Sequence, residues 1–337
     1  MMKVLVTGAA GFIGFHTAKA LLERGDQVVG IDLMTDYYDV DLKKARLSVL
    51  EEFVGFSFYK TDISKQDDVF SVILEHQDIE YIIHLAAQPG VRYSLENPYA
   101  YIETNVMGHL VMLEAALKCP DLQHFVYASS SSVYGENDRL PFNPDDCVIR
   151  PVSLYAATKA SDELITRTYS HLHKLPATGL RFFTVYGPWG RPDMAAYSFV
   201  RDVMNDTPIK VFNHGDMRRD FTYIDDIVDG ILSVLALPAA VGEVSKDELT
   251  VNNDHVPHRV YNLGNNKTEC LKDFIEIIEA ATGKKAQQVM EPMQKGDVKE
   301  TYADITLSRK VFGFEPKVSL KEGMTRFVAW YRDFYNC

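Results

Sequence analysis

The chain has 337 residues, of which 46% are hydrophobic and 24% charged, a composition typical of a globular protein that can bury a large core. Its net charge of −12 argues against nucleic acid or an anionic membrane surface as a partner, because either would require a basic patch. Four cysteines without CxxC spacing predict neither a disulfide framework nor a metal site, so we expect a cytoplasmic protein. The first residues enter a strand pattern directly and no run of about 18 apolar residues occurs, so we expect no signal peptide and no membrane span.

A glycine-rich turn follows the first predicted strand, residues 3–7. The turn reads Gly8-Ala-Ala-Gly11-Phe12-Ile13-Gly14 and leads into an amphipathic stretch, residues 15–24, that is typical of a helix. Glycines let the backbone turn sharply and approach a pyrophosphate, and the N-terminus of the new helix favours negative charge. The pattern therefore predicts a dinucleotide site, although its spacing is GxxGxxG and not the GxGxxG of many dehydrogenases.

The second predicted strand, residues 27–31, ends in Asp32. A carboxylate about 20 residues beyond the turn can accept hydrogen bonds from the adenosine ribose. Because this acid would repel a 2′-phosphate, the sequence favours NAD over NADP as the cofactor.

Strand and helix patterns alternate through the first half of the chain. After Asp32 we predict strands over residues 55–59, 81–85, 124–128 and 178–182, separated by helices over residues 65–76, 99–118 and 153–173. This rhythm predicts an α/β fold with a Rossmann-type, doubly wound parallel sheet of six or seven strands. From residue 184 the elements become short, which indicates a smaller C-terminal α/β substrate-binding region. We therefore divide the chain into an NAD-binding domain, residues 1–183, and a mainly substrate-binding region, residues 184–337, and we interpret residues 238–257 as a surface loop.

Tyr155 and Lys159 lie four residues apart on a predicted helix, so their side chains share one face. A free phenol is a poor base near neutral pH, but a lysine ammonium and a positive nicotinamide ring favour the phenolate. The pair could also be an ordinary surface Tyr and Lys, but the glycine turn and the serine run at residues 129–132 favour a general base.

Taken together, these motifs resemble the extended short-chain dehydrogenase/reductase superfamily over nearly the whole chain. Four longer segments resemble its UDP-glucuronate 4-epimerase family; they are residues 36–47, 90–94, 151–159 and 181–194. The resemblance implies an isomerase that uses NAD to 4-epimerise UDP-glucuronate to UDP-galacturonate through a transient 4-keto intermediate. It also implies a homodimer formed through the helices at 99–118 and 153–173, and a chain that returns to the main sheet after residue 184. A supply of UDP-galacturonate points to polysaccharide synthesis.

The resemblance assigns roles to individual residues. Ser130 would bridge the proton between Tyr155 and the sugar, with Ser132 as a sugar contact and as the second choice for the bridge. The expected cofactor contacts are Gly8, Gly11, Phe12, Ile13, Gly14, Asp32, Asp62, Ile63, Leu85, Ala86, Ala87, Asn105, Tyr155 and Lys159. An Asp62 that only caps the next helix is an equal alternative. The expected substrate contacts besides Ser132 are Arg92, Thr184, Arg191 and Arg219.

Arg191 is our candidate for the sugar carboxylate and Arg219 for the diphosphate. A 4-keto hexuronate is a β-keto acid that loses CO₂ readily, and an arginine fork suits a carboxylate that must be held still. A solvent-facing or diphosphate-binding Arg191 is the alternative, and the Arg218-Arg219 pair could be a solvated charge run. Tyr37 and Tyr38 could form a substrate lid or pack within a loop. Leu33 and Thr35 depart from the family pattern, which puts cofactor affinity in question.

Several other functions remain open. A UDP-glucose or UDP-N-acetylglucosamine 4-epimerase is the main alternative. A 4,6-dehydratase or a uronate decarboxylase is less favoured, because those enzymes carry an acid where this chain has Ser131 and Ser132. A non-catalytic NAD-binding regulator would be expected to lack Tyr155 or Lys159.

Overall fold

The computed structural model describes residues 1–241 and 256–337. Within these two ranges, seven strands form the main sheet: β1 (Lys3–Thr7), β2 (Gln27–Asp32), β3 (Phe56–Lys60), β4 (Tyr81–His84), β5 (His124–Ser130), β6 (Ala177–Phe182) and β11 (His258–Leu263). Six shorter strands form three two-stranded sheets: β7 (Thr184–Tyr186), β8 (Ile209–Val211), β9 (Arg218–Arg219), β10 (Phe221–Tyr223), β12 (Glu269–Cys270) and β13 (Gln288–Met290).

The helices lie on both faces of the main sheet and in the C-terminal region. They are α1 (Phe12–Glu23), α2 (Val40–Glu51), α3 (Gln66–Glu75), α4 (Tyr93–Glu96), α5 (Pro98–Tyr101), α6 (Gly108–Ala116), α7 (Leu154–His173), α8 (Ala195–Met204), α9 (Ile224–Leu235), α10 (Leu271–Thr282), α11 (Thr306–Phe312) and α12 (Leu320–Tyr335). A π-helical segment, Ile102–Met107, joins α5 to α6, so the helix predicted over residues 99–118 is a composite.

The main sheet is parallel throughout, in the order β11-β6-β5-β4-β1-β2-β3. This order confirms the predicted Rossmann-type, doubly wound fold. The last strand, β11, is contributed by residues far beyond 184 and pairs with β6, so the chain does return to the main sheet. The division at residue 183 stays a prediction, and most of the predicted loop 238–257 lies outside the described residues.

The alternation of side chains along the strands creates two cores. On β1, Val4 and Val6 face the core shared with α1, α2 and α9, while Leu5 faces the core shared with α3 and α6. Such buried runs are typical of parallel sheets that are covered on both faces. From β1 the strand order continues to β2 and β3 on one side, and from β4 it continues to β5 and β6 on the other. The connections after β1 and β4 therefore lead to opposite sides of the sheet, and a crevice forms beyond the carboxyl ends of these two strands.

None of the helices within the described ranges is both long enough and apolar enough to cross a membrane.

Candidate active site at the carboxyl edge of the sheet

The glycine-rich turn lies at the crevice between β1 and β4. Gly8 has a φ of +73°, and a Cβ atom there would lie 2.9 Å from the amide nitrogen of Ala86. A Cβ on Gly14 would lie 2.0 Å from the carbonyl oxygen of Gly8, so no larger residue fits. Gly11 donates its N–H to that same carbonyl over 2.8 Å. The turn is therefore a bare backbone surface at a helix N-terminus, which fits a dinucleotide pyrophosphate.

Asp32 lies at the end of β2, beside this turn. Its carboxylate accepts hydrogen bonds from the amide of Ala10 at 3.1 Å and from the amide of Met34 at 2.8 Å. The acid is thus fixed next to the turn, where an adenosine ribose would reach it. The adjacent Leu33 is 41% exposed.

Two other residues predicted to contact the cofactor have structural partners of their own. Asp62 accepts from the amide and hydroxyl of Ser64 and so stabilises a turn. The alternative that Asp62 caps the next helix is wrong, because α3 has Lys65 at its cap position and no side-chain cap hydrogen bond. Ile63 is buried and lies where a Cβ on Gly108 would collide with it.

Leu85, Ala86 and Ala87 follow β4 directly, at the crevice. The amide of Ala86 donates to the hydroxyl of Thr7 at 3.1 Å, which joins this segment to β1. Asn105, 2% exposed, accepts from the amide of Gln88 at 2.7 Å and donates to its carbonyl oxygen at 3.1 Å. Asn105 therefore fixes the position of the segment that follows β4 through its two hydrogen bonds with the backbone of Gln88.

The serine run contains side chains in different environments. Ser129 is buried and donates to the Glu163 carboxylate over 2.5 Å, so its hydroxyl already has a hydrogen-bond partner within the core. Ser130 ends β5, and its oxygen accepts from the amide and the hydroxyl of Ser132 at 3.2 and 2.8 Å. Ser130 and Ser132 thus remain as a pair at the carboxyl edge of the sheet.

Tyr155 and Lys159 lie in the first turns of α7, which begins after Ser153 caps it through the amide of Ala156. Tyr155 is partly exposed, and its ring forms a T-shaped contact with the ring of Tyr101, with the two ring centroids 6.1 Å apart. Lys159 is only 3% exposed; its Nζ donates to the carbonyl oxygen of Ala128 at 3.0 Å and to Asp162 Oδ2 at 3.1 Å. The Ala128 contact places Lys159 against β5, two residues before Ser130.

A buried polar layer lies beneath this pair. Thr7 Oγ1 and His84 Nδ1 are 2.8 Å apart, and burial lowers the pKa of His84 to about 3, with Lys159 adding to the effect. Burial raises the pKa of Asp162 to about 7, although Lys159 opposes the shift. Sequence reasoning missed Asp162; its position three residues after Lys159 on the same helix was the available signal.

Arg191 is held by a carboxylate that the sequence analysis also missed. Its Nε donates to Asp193 Oδ1 at 3.0 Å and its Nη2 to Oδ2 at 2.5 Å. The Tyr37 hydroxyl donates to the same carboxylate at 3.3 Å, so the loop after β2 reaches the loop that carries Arg191. Tyr38 instead accepts a hydrogen bond from Arg46, which also donates to the carbonyl oxygens of Trp189 and Gly190.

Arg92 and Arg219 meet at Asp297. Arg219 Nη2 lies 2.8 Å from Asp297 Oδ1, and Arg92 Nη2 lies 3.8 Å from Oδ2. Arg219 is not a solvated charge, because it also donates to the carbonyl oxygens of Val298 and Lys299. The remaining predicted contact, Thr184, begins β7 and donates its amide to the carbonyl of Asp220 at 3.1 Å. Thus two of the predicted substrate arginines are brought together, whereas Arg191 belongs to a separate ion pair.

Comparisons with known proteins agree with this geometry. Residues 4–264 match the model of the NAD dependent epimerase/dehydratase family. The chain belongs to that family of NAD-dependent enzymes, which confirms the predicted superfamily and NAD as its cofactor.

Within the family, the chain is 47% identical over 337 residues to a probable UDP-glucuronate 4-epimerase of Rhizobium meliloti, covering 99% of this chain and 98% of the relative. A crystal structure of the Bacillus cereus UDP-glucuronic acid 4-epimerase with UDP-glucuronic acid and NAD superposes with a TM-score of 0.88 at 35% identity, covering 99% of this chain and 100% of that chain. The Thermotoga maritima UDP-glucose 4-epimerase with UDP-glucose superposes with a TM-score of 0.85 at 29% identity, with the same coverage.

Proposed function

We propose that the protein is an isomerase that interconverts UDP-glucuronate and UDP-galacturonate through a transient 4-keto hexuronate. The observation that carries this proposal is the hydrogen bond from Lys159, on the helix that also carries Tyr155, to the carbonyl oxygen of Ala128, two residues before Ser130 at the end of β5. A base, a hydroxyl bridge and a dinucleotide cradle then face one crevice. The relatives at 47% and 35% identity, both UDP-glucuronate 4-epimerases, favour the uronate over a neutral sugar.

In this reaction Tyr155 takes the proton of the sugar C4 hydroxyl and later returns it to the C4 oxygen, once the 4-keto sugar has turned to present its other face. The Lys159 ammonium favours the phenolate form of Tyr155. Ser130 accepts from Ser132 and can donate its own hydrogen, so it can pass a proton between the sugar hydroxyl and Tyr155. Tyr155 and Lys159 lie one helical turn apart, which keeps both on the crevice side of α7.

The turn at Gly8, Gly11 and Gly14 would hold the pyrophosphate of NAD, and Asp32 the adenosine ribose. Phe12, Ile13, Asp62, Ile63, Leu85, Ala86, Ala87 and Asn105 would complete that site. When bound, NAD supplies the acceptor and donor of the C4 hydride. The carboxylate of Asp32, held by two backbone amides, makes a 2′-phosphate unfavourable at this position.

The substrate is held at two places. Arg92 and Arg219 surround the single carboxylate of Asp297, which leaves a net positive charge for the diphosphate. Arg191, oriented by Asp193, would hold the hexuronate carboxylate, with Ser132 and Thr184 as further sugar contacts. The diphosphate is thus the anchor, while the hexose can turn to present its other face.

Incubation of the purified protein with UDP-glucuronate, with and without added NAD, tests the proposal by NMR analysis of the products. We expect UDP-galacturonate to accumulate to equilibrium with no net NADH and no CO₂. Tyr155→Phe should reduce kcat by at least about 100-fold, since it removes the general base but keeps the ring. Turnover of UDP-glucose or UDP-N-acetylglucosamine in place of UDP-glucuronate would contradict the uronate assignment, and an active Tyr155→Phe would contradict the base.

We also infer a cytoplasmic homodimer. The segment 98–116 and α7 expose Tyr99 at 83%, Ile102 and Met107 at 49%, Leu164 at 67% and Leu172 at 65%. Apolar residues on neighbouring helices favour burial against a second copy. Light scattering should give twice the chain mass, and Leu164→Glu should shift the protein toward monomer; a wild-type monomer would contradict the inference. The free thiols of Cys119, Cys147, Cys270 and Cys337 suit a reducing compartment.

A further inference from the structure

The carboxylate of Asp162 lies beside the proposed catalytic lysine. Asp162 follows Lys159 by three residues on α7, is 0% exposed, and places Oδ2 3.1 Å from Lys159 Nζ. Its other oxygen, Oδ1, is buried and has no hydrogen-bond partner among residues 1–241 and 256–337. Core packing alone does not explain a carboxylate with one unsatisfied oxygen, because such a group costs free energy.

The groups around this ion pair are neutral or paired, although the Glu163 carboxylate still raises the pKa of Asp162. On α7 itself, Glu163 is paired with Arg181 through two hydrogen bonds at 2.8 and 2.9 Å. From α6, His109 contacts Thr166, and burial lowers its pKa, so it is uncharged. From β4, His84 is uncharged for the same reason, and from β5 the buried Tyr127 keeps its proton because burial raises its pKa. Among the described residues, Lys159 and Asp162 therefore set the local charge beneath Tyr155.

We infer that Asp162 is a positioning residue that sets both the direction of the Lys159 ammonium and the net charge that Tyr155 experiences. This inference rests on the proposed function, in which Tyr155 is the base. The ammonium is held between the carbonyl of Ala128 and Asp162, so its position is fixed by a strand and by its own helix. When Asp162 is ionised, it offsets the charge of Lys159 and disfavours the phenolate; when Asp162 is protonated, Tyr155 experiences the full positive charge.

The sign of the effect follows from this arrangement. Burial raises the pKa of Asp162 to about 7, within the range in which an enzyme of this kind is assayed. Replacing the carboxylate by a neutral amide leaves the Lys159 charge unopposed at every pH. Tyr155 then ionises more readily, and the acid limb of the pH profile of kcat/KM moves to lower pH. Tyr155 and Asp162 are seven residues apart, about 10 Å along a helix, so the expected displacement is roughly one pH unit.

The experiment compares wild type with Asp162→Asn as holoenzymes, with UDP-glucuronate as substrate, from about pH 6.5 to 9.5. We expect the acid limb of kcat/KM to move to lower pH by roughly one unit, with KM nearly unchanged, because Asp162 lies beneath the site and does not reach the sugar nucleotide. An acid limb that stays in place, or that moves to higher pH, overturns the inference. Asp162→Ser provides the same test if the amide variant does not fold.

Asp226→Asn is the matched control. Asp226 is also a buried carboxylate, but it accepts from the amides of Lys317 and Val318 at 2.9 and 3.1 Å, between α9 and the segment before α12. We expect this variant to be less stable and to keep the wild-type pH profile. An equal displacement in the control would show that the shift reports lost stability, and that result also overturns the inference. If wild type epimerises, Tyr155→Phe does not, and Asp162→Asn keeps its acid limb, then only the role of Asp162 fails.

Discussion

Arg46 Nη1 donates to the carbonyl oxygen of Ala10 over 2.9 Å, deep in the protein, where Arg46 is 0% exposed. Its Nη2 donates to the carbonyl oxygens of Trp189 and Gly190, at 2.5 and 3.1 Å. One side chain on α2 thus joins the glycine-rich turn to the loop that leads to Arg191. Because all of these acceptors are backbone carbonyls, the link is independent of any other charged residue.

Arg46→Met should lower the free energy of unfolding by about 3 kcal/mol or more, because several buried carbonyls lose their donor. Urea unfolding of the purified protein measures this change. Lys44→Met is the control on the same helix, since the Lys44 side chain is 65% exposed and contacts only Asp41 among the ion pairs of the described residues. If the two variants lose equal stability, the buried link does not contribute as we expect.

The sequence predicted the parts of this molecule that depend on local pattern. Alternating strands and helices, the glycine turn and the Tyr155–Lys159 spacing are local, and the sheet they form is confirmed. The helix predicted over residues 153–173 begins one residue later, at Leu154, because Ser153 is its cap. Periodicity could not predict the π-helical segment at Ile102–Met107, because its side chains remain close to helical spacing.

The sequence alone could not predict contacts between residues that lie far apart in the chain. In the sequence, Arg46 resembles an ordinary surface arginine of an amphipathic helix. Only the folded structure shows that the glycine-rich turn and residues 189–190 pack against it. Asp297 lies 78 positions from Arg219, so only the folded chain shows that they form a pair. Ser129 could not be separated from Ser130 by residue type, and only the contact with Glu163 shows that Ser129 belongs to the core.

Gly14→Ala should impair both folding and cofactor retention. The new Cβ would lie 2.0 Å from the carbonyl oxygen of Gly8, and backbone on both sides of the contact cannot yield without distorting the turn. We expect a loss of about 3 kcal/mol or more in stability and at least a tenfold weaker NAD affinity, measured by denaturation and by the NAD content of the purified protein.

Gly283→Asn is the control for that glycine. Gly283 ends α10 with a φ of +70°, and beyond the neighbouring backbone no heavy atom of the described residues lies within 4 Å of the point that its Cβ atom would occupy. Asparagine tolerates this conformation, so a change within about 1 kcal/mol is expected. A Gly14→Ala protein with normal stability and NAD content would show that the turn does not form as described.

Replacing Ser129, Ser130 and Ser132 one at a time should change three different properties of the protein. Ser130→Ala should reduce kcat by about 100-fold, since it removes the hydroxyl that can bridge the proton, whereas Ser132→Ala should act mainly on KM. Ser129→Ala should instead lower stability by about 1–2 kcal/mol with little change in kcat, because it removes a hydrogen bond to Glu163 in the core. Steady-state kinetics and urea unfolding of the three variants test this order. A larger loss of kcat in Ser132→Ala than in Ser130→Ala would exchange the two roles.

Acid should destabilise the protein steeply. Among the described histidines, burial lowers the pKa of the partly exposed His76 and, more strongly, that of five others: His84 and His258 to about 3, His16 and His124 to about 4, and His109 well below its usual value. Each is neutral when folded and takes up a proton on unfolding, so its contribution is present above about pH 6.5 and is lost as pH falls toward the folded pKa. Asp162 and Asp220 act in the opposite direction, because burial raises their folded pKa values to about 7 and about 6.

Between pH 6 and 5, these five histidines and two aspartates together bind about three more protons in the unfolded chain than in the folded protein. The free energy of unfolding should therefore fall by about 4 kcal/mol for each pH unit. Urea unfolding at several pH values measures the slope. His124→Gln, which loses the contacts with Leu235 and Thr178, should reduce the slope by about one proton, whereas the exposed His171→Gln should not change it. A flat stability profile from pH 6.5 to 5 would mean that these histidines are not buried as neutral groups.

Arg191→Ala should change the products as well as the rate. The two contacts with Asp193 orient the Arg191 fork, and a substrate carboxylate bound to it is prevented from adopting the orientation that releases CO₂ from the 4-keto sugar. Without the fork we expect kcat/KM for UDP-glucuronate to fall by about 100-fold and CO₂ to appear together with a UDP-pentose product, since a charged hydrogen bond contributes about 1.5–3 kcal/mol. Arg191→Lys keeps the charge but not the bidentate geometry, so it should restore affinity more than it suppresses CO₂ release.

Arg201→Ala serves as the control, because Arg201 lies on α8, is 44% exposed and pairs with the adjacent Asp202. If CO₂ release stays at the wild-type level in Arg191→Ala, another donor must hold the carboxylate, and Ser132 and Thr184 become the residues to replace.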